Sequence, residues 1–180
     1  KLNKAYGDSV LVDFCMRYGN PSTESVLKKM VSQGCTKILF FPLYPQYAAP
    51  TTATANDQMF RSLMMLNWQP SIRTVPPYFD SADFIKAISI SIEAAYKKSK
   101  FKPQHLVISY HGVPERYLIN GDPYHCQCQK TTRLIREQWP YKDIPIETTF
   151  QSRFGPQEWL QPYTDETLEG LGKQDIDSIM

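Results

Sequence analysis

The sequence predicts an α/β fold built of two similar units of parallel sheet flanked by helices, each truncated. Short β-prone apolar runs alternate with stretches whose apolar residues recur at helical spacing, the order that builds a parallel sheet with helical crossovers. A polar hinge at 97–103 breaks this alternation, which then resumes. The expected division is therefore 1–98, the C-terminal part of a first domain, and 99–180, the N-terminal part of a second.

The elements follow in chain order. Residues 10–16 form a β-rich run expected to be the first strand. A helix starts after Pro21, with Ser22 as its N-cap, Glu24 in its first turn, an apolar stripe of Val26, Leu27, Met30 and Val31, and Gly34 at its end. Strand 37–41 is short and apolar. Helix 54–66 carries Ala55, Met59, Phe60, Leu63 and Leu66 as its packing stripe, and 71–75 is a weaker strand. A long amphipathic helix over 80–98 runs through Phe84, Ile85, Ile88, Ile92 and Tyr96. After the hinge come strand 105–110, helix 124–138, strand 145–150, and a short helix capped by Thr164 with Asp165 and Glu166 in its first turn. Residues 176–180 read as the beginning of a further strand.

Composition excludes several classes of function. With 42% apolar and 21% charged residues the chain is a folded globular one. A net charge of +2, with no Lys/Arg block longer than two, does not fit a nucleic-acid binder. The apolar run 38–44 is broken by Pro42 and too short to cross a bilayer. The four cysteines (Cys15, Cys35, Cys126, Cys128) accompany no export signal and read as reduced cytosolic thiols, with Cys15 and Cys35 as small core residues. No dinucleotide or phosphate-loop glycine pattern is present, so no nucleotide cofactor is expected.

Ligands of open α/β sheets bind outside the carboxyl ends of the strands. The segments that follow each expected strand are chemically loaded: Arg17-Tyr18-Gly19-Asn20-Pro21, Pro42 to Tyr47, Pro76 to Phe79, Tyr110-His111-Gly112, and Gln151 to Gly155 with Trp159 beyond. Their lining is aromatic and Pro-stiffened, with two arginines (Arg17, Arg153) and one histidine, and suits a flat, apolar, anionic ligand. His111 at a strand end can take a proton near neutral pH or bind a metal. His105 reads as structural, and His125 as a surface residue. Asp165 and Glu166 read as helix-start charges, and Cys126 and Cys128 as thiols on the first turn of a helix rather than a metal site.

Five motifs in order carry a resemblance: Met16-Arg-Tyr-Gly-Asn-Pro-Ser22; Pro42-Leu-Tyr-Pro-Gln-Tyr47 with Thr51-Thr52; Ser109-Tyr-His-Gly-Val-Pro114 with Gly121-Asp-Pro-Tyr124; Thr149-Phe-Gln-Ser-Arg-Phe-Gly155; and Trp159 to Thr167. The chain resembles the ferrochelatase family, in its proteobacterial branch, over essentially its whole length. The resemblance implies a chelatase-like fold of two similar domains and insertion of Fe²⁺ into protoporphyrin IX to form protohaem. It implies His111 as the catalytic and metal-binding residue, and Arg17, Tyr18 and Trp159 as substrate-binding residues. Fe²⁺ enters as substrate. Some members carry a [2Fe–2S] cluster, whose cysteine pattern is not matched by Cys126 and Cys128. The family's catalytic glutamate falls after Met180 and an amino-terminal lip before Lys1, so this 180-residue stretch is expected not to metallate on its own.

The expected partners are the porphyrin and ferrous iron, and no nucleic acid. The expected location is cytoplasmic, with any membrane contact peripheral at the inner membrane. Two alternatives stand beside this reading: a chelatase for another tetrapyrrole (coproporphyrin with iron, or a cobalt precursor), and a non-catalytic tetrapyrrole- or metal-binding module.

Overall fold

Strand pairing, rather than strand propensity, decides where sheet forms in this chain. The computed structural model describes residues 5–180. In chain order the elements are α1 (Thr23–Ser32), β1 (Lys37–Phe40), α2 (Thr54–Met64), β2 (Ser71–Thr74), α3 (Ala82–Lys98), β3 (Leu106–His111), α4 (Glu115–Ile119), α5 (Tyr124–Gln138), β4 (Ile146–Gln151) and α6 (Thr164–Gly172). β1 pairs with β2 and β3 with β4, both in parallel, so the α/β class with helix-flanked parallel strands holds. Two compact units result, 1–44 with 49–77, and 45–48 with 78–180.

The first unit packs α1 and α2 on the β1–β2 sheet around Leu27, Ile38 and Met59. Ser22 caps α1 as expected, its hydroxyl accepting the Ser25 N–H at 3.2 Å, and Gly34 leaves the helix at φ +86°. A turn of π-helix over Ala49–Ala53 leads into α2. Two expectations fail here. Residues 10–16 form no strand: only an isolated bridge joins Met16 to Ser22, and Phe14 is 67% exposed. A β-prone run becomes a strand only when it joins a ladder, and among the described residues 10–15 enter no strand pairing. Phe60 is exposed instead of packed. Met59, Leu63 and Leu66 stand at the i, i+4, i+7 spacing that faces the sheet, and Phe60 is rotated off that stripe.

In the second unit β3 and β4 run in register from Leu106↔Ile146 to His111↔Gln151. Residues 178–180 lie along the start of β3, where the Met180 N–H donates to the His105 carbonyl at 3.0 Å; the pairing is an isolated bridge at Ile179, short of the strand expected over 176–180. One core gathers Leu106, Trp139, Ile144 and Ile146 under Ile92 and Tyr96 of α3; another gathers Val113, Cys128, Phe150 and Leu160. Helix α3 therefore groups by packing with the second sheet, whereas the 98/99 border puts it with the first. The short helix α4, which starts after Pro114, is not evident from periodicity. Among the described residues no helix is long and apolar enough to cross a membrane.

Candidate functional site

β3 ends on His111, and the ring is exposed. The strand holds its backbone through the pairing with Gln151, and Gly112 N–H continues the ladder to the Gln151 carbonyl at 2.7 Å. The imidazole Nδ1 lies 2.8 Å from the Gly112 carbonyl oxygen. A carbonyl only accepts, so this contact needs the proton on Nδ1 and leaves the Nε2 lone pair of the neutral ring facing outward. A fixed, outward lone pair can take a proton or bind a divalent transition metal.

Behind His111 the structure is tightly built. Residues 158–160 run antiparallel to 113–115: Pro114 bridges Trp159, and Glu115 and Leu160 N–H groups reach the Glu158 and Val113 carbonyls at 3.0 Å each. This lays the Trp159 ring against Gly112. A Cβ on Gly112 would stand 3.2 Å from Trp159 and 3.0 Å from the Gln151 carbonyl, so only glycine fits without displacement. Trp159 is 6% exposed, and its indole N–H donates to the Phe154 carbonyl at 3.0 Å. Phe154 packs on it with the rings tilted and their centroids 4.8 Å apart, and is itself 74% exposed. The aromatic surface of this loop is Phe154, with Trp159 beneath it.

Arg153 does not present a free guanidinium. It donates to Glu166 at 2.8 Å and Asp165 at 2.9 Å and lies over the Tyr163 ring at 3.9 Å. The hydrogen bond to Glu166 and the nearby carboxylates raise its pKa further. Asp165 and Glu166 sit in the first turn of α6, as expected, and also fasten the loop after β4. Ser152, between β4 and Arg153, has φ +70°, the left-handed region that costs a non-glycine residue backbone strain.

Arg17 and Tyr18 belong to the first unit, His111 and Trp159 to the second. The loop that carries Arg17 closes on itself through Met16 N–H to the Pro21 carbonyl at 2.8 Å. The Arg17 guanidinium stacks over the Tyr18 ring at 4.4 Å, and Tyr18 is 72% exposed. Arg17 Nε is buried without a hydrogen-bond partner among the described residues. Residues 45–48 fall in the second unit, where α5 holds them: Tyr47 N–H donates to Gln127 at 2.7 Å and Gln46 to the Thr131 hydroxyl at 3.0 Å.

The two thiols of α5 stand apart in character. Cys126 is exposed and Cys128 fully buried. Residues two apart on a helix do not share a face, so the pair offers no common ligand set for an iron–sulfur cluster. Burial pushes the Cys128 thiol up to about 12, partly offset by a hydrogen bond with Tyr124. Burial likewise pushes the Tyr110 phenol up to about 12, with Thr132 on its hydroxyl, and raises Tyr124 above the ordinary phenol value. His125 stacks on Phe150 at 5.6 Å, so it is an aromatic packing partner more than a surface residue. His105 lies 3.5 Å from Glu147 at the start of the sheet, a structural position. Shallow concavities of about 370 Å³ (beside Glu24, Arg61 and Met65) and about 260 Å³ (beside Gln104 and Asp143) contain none of the predicted site residues.

Sequence reasoning missed Tyr124 as a support, Phe154 as the exposed aromatic, and the Gln127 and Thr131 braces. Tyr124 and Phe154 stand inside the quoted motifs, but nothing local distinguishes a support from a lining residue.

Parallel strands whose carboxyl ends carry an exposed histidine and exposed aromatic loops define an α/β protein whose candidate site lies at the sheet edge. Comparison with known proteins gives the family. A profile of the ferrochelatase family matches residues 1–180, and the chain belongs to that family. It is 55% identical to a ferrochelatase of Mesorhizobium japonicum over 99% of this chain and 51% of that protein. It is 57% identical to one of Rhodobacter capsulatus, over 93% of this chain and 49% of the relative. A third, of Rhizobium meliloti, is 51% identical over 99% of this chain and 53% of its own length. The chain thus spans about half the length of the curated relatives it matches.

Proposed function

We propose that this chain contributes the imidazole centre of a ferrochelatase that inserts Fe²⁺ into protoporphyrin IX to form protohaem. Metallation replaces two pyrrole N–H protons by one dication, so the site must take up protons and bring a dehydrated metal to a flat ring. The observation that carries the reading is the outward Nε2 of His111, fixed by the Nδ1–H to Gly112 contact. That lone pair accepts a pyrrole proton or holds the ferrous ion. Arg17, with an unpartnered Nε and a guanidinium already stacked on Tyr18, pairs with a propionate carboxylate. Tyr18 and the Phe154–Trp159 pair supply aromatic wall for the macrocycle, Trp159 from beneath.

On this reading residues 1–98 and 99–180 are parts of the family's two chelatase domains. Ferrous iron is substrate, no [2Fe–2S] cluster is held by Cys126 and Cys128, and no nucleic acid is bound. The work is cytoplasmic, with peripheral contact at the inner membrane where porphyrin partitions. The test is an anaerobic substrate panel on the intact protein. Ferrous iron with protoporphyrin IX should give the haem spectrum faster than iron with coproporphyrin or cobalt with a corrinoid precursor. Faster turnover of either competitor would reassign the substrate. Porphyrin binding without metallation of any substrate would mean a binding module.

A further inference from the structure

We propose that Tyr124 is a positioning residue for His111, its hydroxyl acting through the His111 carbonyl to keep the imidazole Nδ1–H on the Gly112 carbonyl. The inference deepens the functional reading above and rests on it for its link to turnover.

The peptide between His111 and Gly112 is a rigid plate. Its N–H end is gripped by the Gln151 carbonyl at 2.7 Å, and its C=O end by the Tyr124 hydroxyl at 2.9 Å. The imidazole hangs from the Cα on one side of the plate. The carbonyl that receives its Nδ1 proton, 2.8 Å away, belongs to the residue on the other side. Rotating the plate therefore changes the Nδ1-to-oxygen distance directly. With both ends gripped and Trp159 pressed on Gly112, the plate has one orientation. The grip from β4 is an ordinary ladder bond. The grip from Tyr124 comes from a different element, thirteen residues along the chain.

Tyr124 is seated to exert it. It is the first residue of α5, and its N–H donates to Asp122 Oδ1 at 3.0 Å. Its ring packs on the buried cluster of Val113, Cys128, Phe150 and Leu160. Gly121, at φ +91°, turns the chain into this position. The phenol is thus the end of a braced arm, and it stabilises the tautomer in which Nε2 carries the lone pair. It needs no contact with substrate.

The experiment is Tyr124→Phe in the intact protein, read by ¹⁵N-histidine NMR without substrate and by steady-state iron insertion. His111 is assigned by its loss in His111→Ala. The native ring should show one tautomer, protonated at Nδ1. Tyr124→Phe should show a mixture with the Nε2–H form, and kcat should fall about tenfold with KM for porphyrin unchanged. Asp122→Ala, which loosens the arm at its base, should move the tautomer the same way by less, and serves if Tyr124→Phe does not fold. A single Nδ1–H tautomer in the folded variant overturns the proposal even if the rate falls, because the hydroxyl is then only structural. If His111→Ala keeps its full rate, the functional reading fails instead, and the tautomer result still decides the role of Tyr124.

Discussion

The loop after β3 and the loop that bears Arg17 carry chemistry in opposite mechanical styles. His111 ends a six-residue strand, and the backbone beyond it is gripped by β4, by Tyr124 and by the Trp159 ring. Arg17 follows a segment with no strand pairing and sits in a loop closed on itself, its side chain steered by one stacked tyrosine. The contrast matches the role proposed for each group. A short imidazole has few rotatable bonds and must have its lone pair aimed by the backbone, whereas a long guanidinium finds a carboxylate from a looser seat.

The sharpest way to break this comparison is to disturb the grip on the loop after β3. Gly112→Ala forces a Cβ to 3.0 Å from the Gln151 carbonyl and 3.2 Å from Trp159, and neither backbone nor buried indole yields cheaply. We expect about 1–3 kcal/mol of destabilisation in denaturant titration, and iron insertion falling further than stability alone explains. A variant of unchanged stability and rate would show that the loop behind His111 is soft. A smaller effect is expected in the first unit. Ser22→Ala removes the only side-chain cap of α1 and should cost about 1 kcal/mol without altering turnover. A loss of turnover from Ser22→Ala would mean that the Arg17 loop needs the same rigidity as the His111 loop.

Much of the second unit was legible in the chain. The run 106–110 followed by His-Gly placed the imidazole at a strand end, and helix 124–138 was read to the residue. The capping of α1 by Ser22 was equally plain, because caps are local chemistry. What escaped is what depends on distant neighbours. Residues 10–16 have strand composition, yet among the described residues they form no ladder beyond the isolated bridge at Met16. Arg153 looked like a candidate anion binder until Asp165 and Glu166, twelve and thirteen residues on, folded back onto it. Phe60 looked like core, but Met59, Leu63 and Leu66 take the face that packs on the sheet and leave it exposed. Trp159 was read as a lining residue, and its burial under Phe154 follows from the pairing of 158–160 with 113–115, which no periodicity announces. Tyr124 was read as part of a motif, not as the support of another residue.

The central claim is that the Nε2 of His111 takes part in metallation. His111→Ala in the intact protein tests it most directly, with protoporphyrin binding followed by fluorescence quenching and iron insertion by absorbance. The account predicts unchanged porphyrin affinity and a loss of at least about a hundredfold in kcat. Full-rate haem formation by that variant would contradict it.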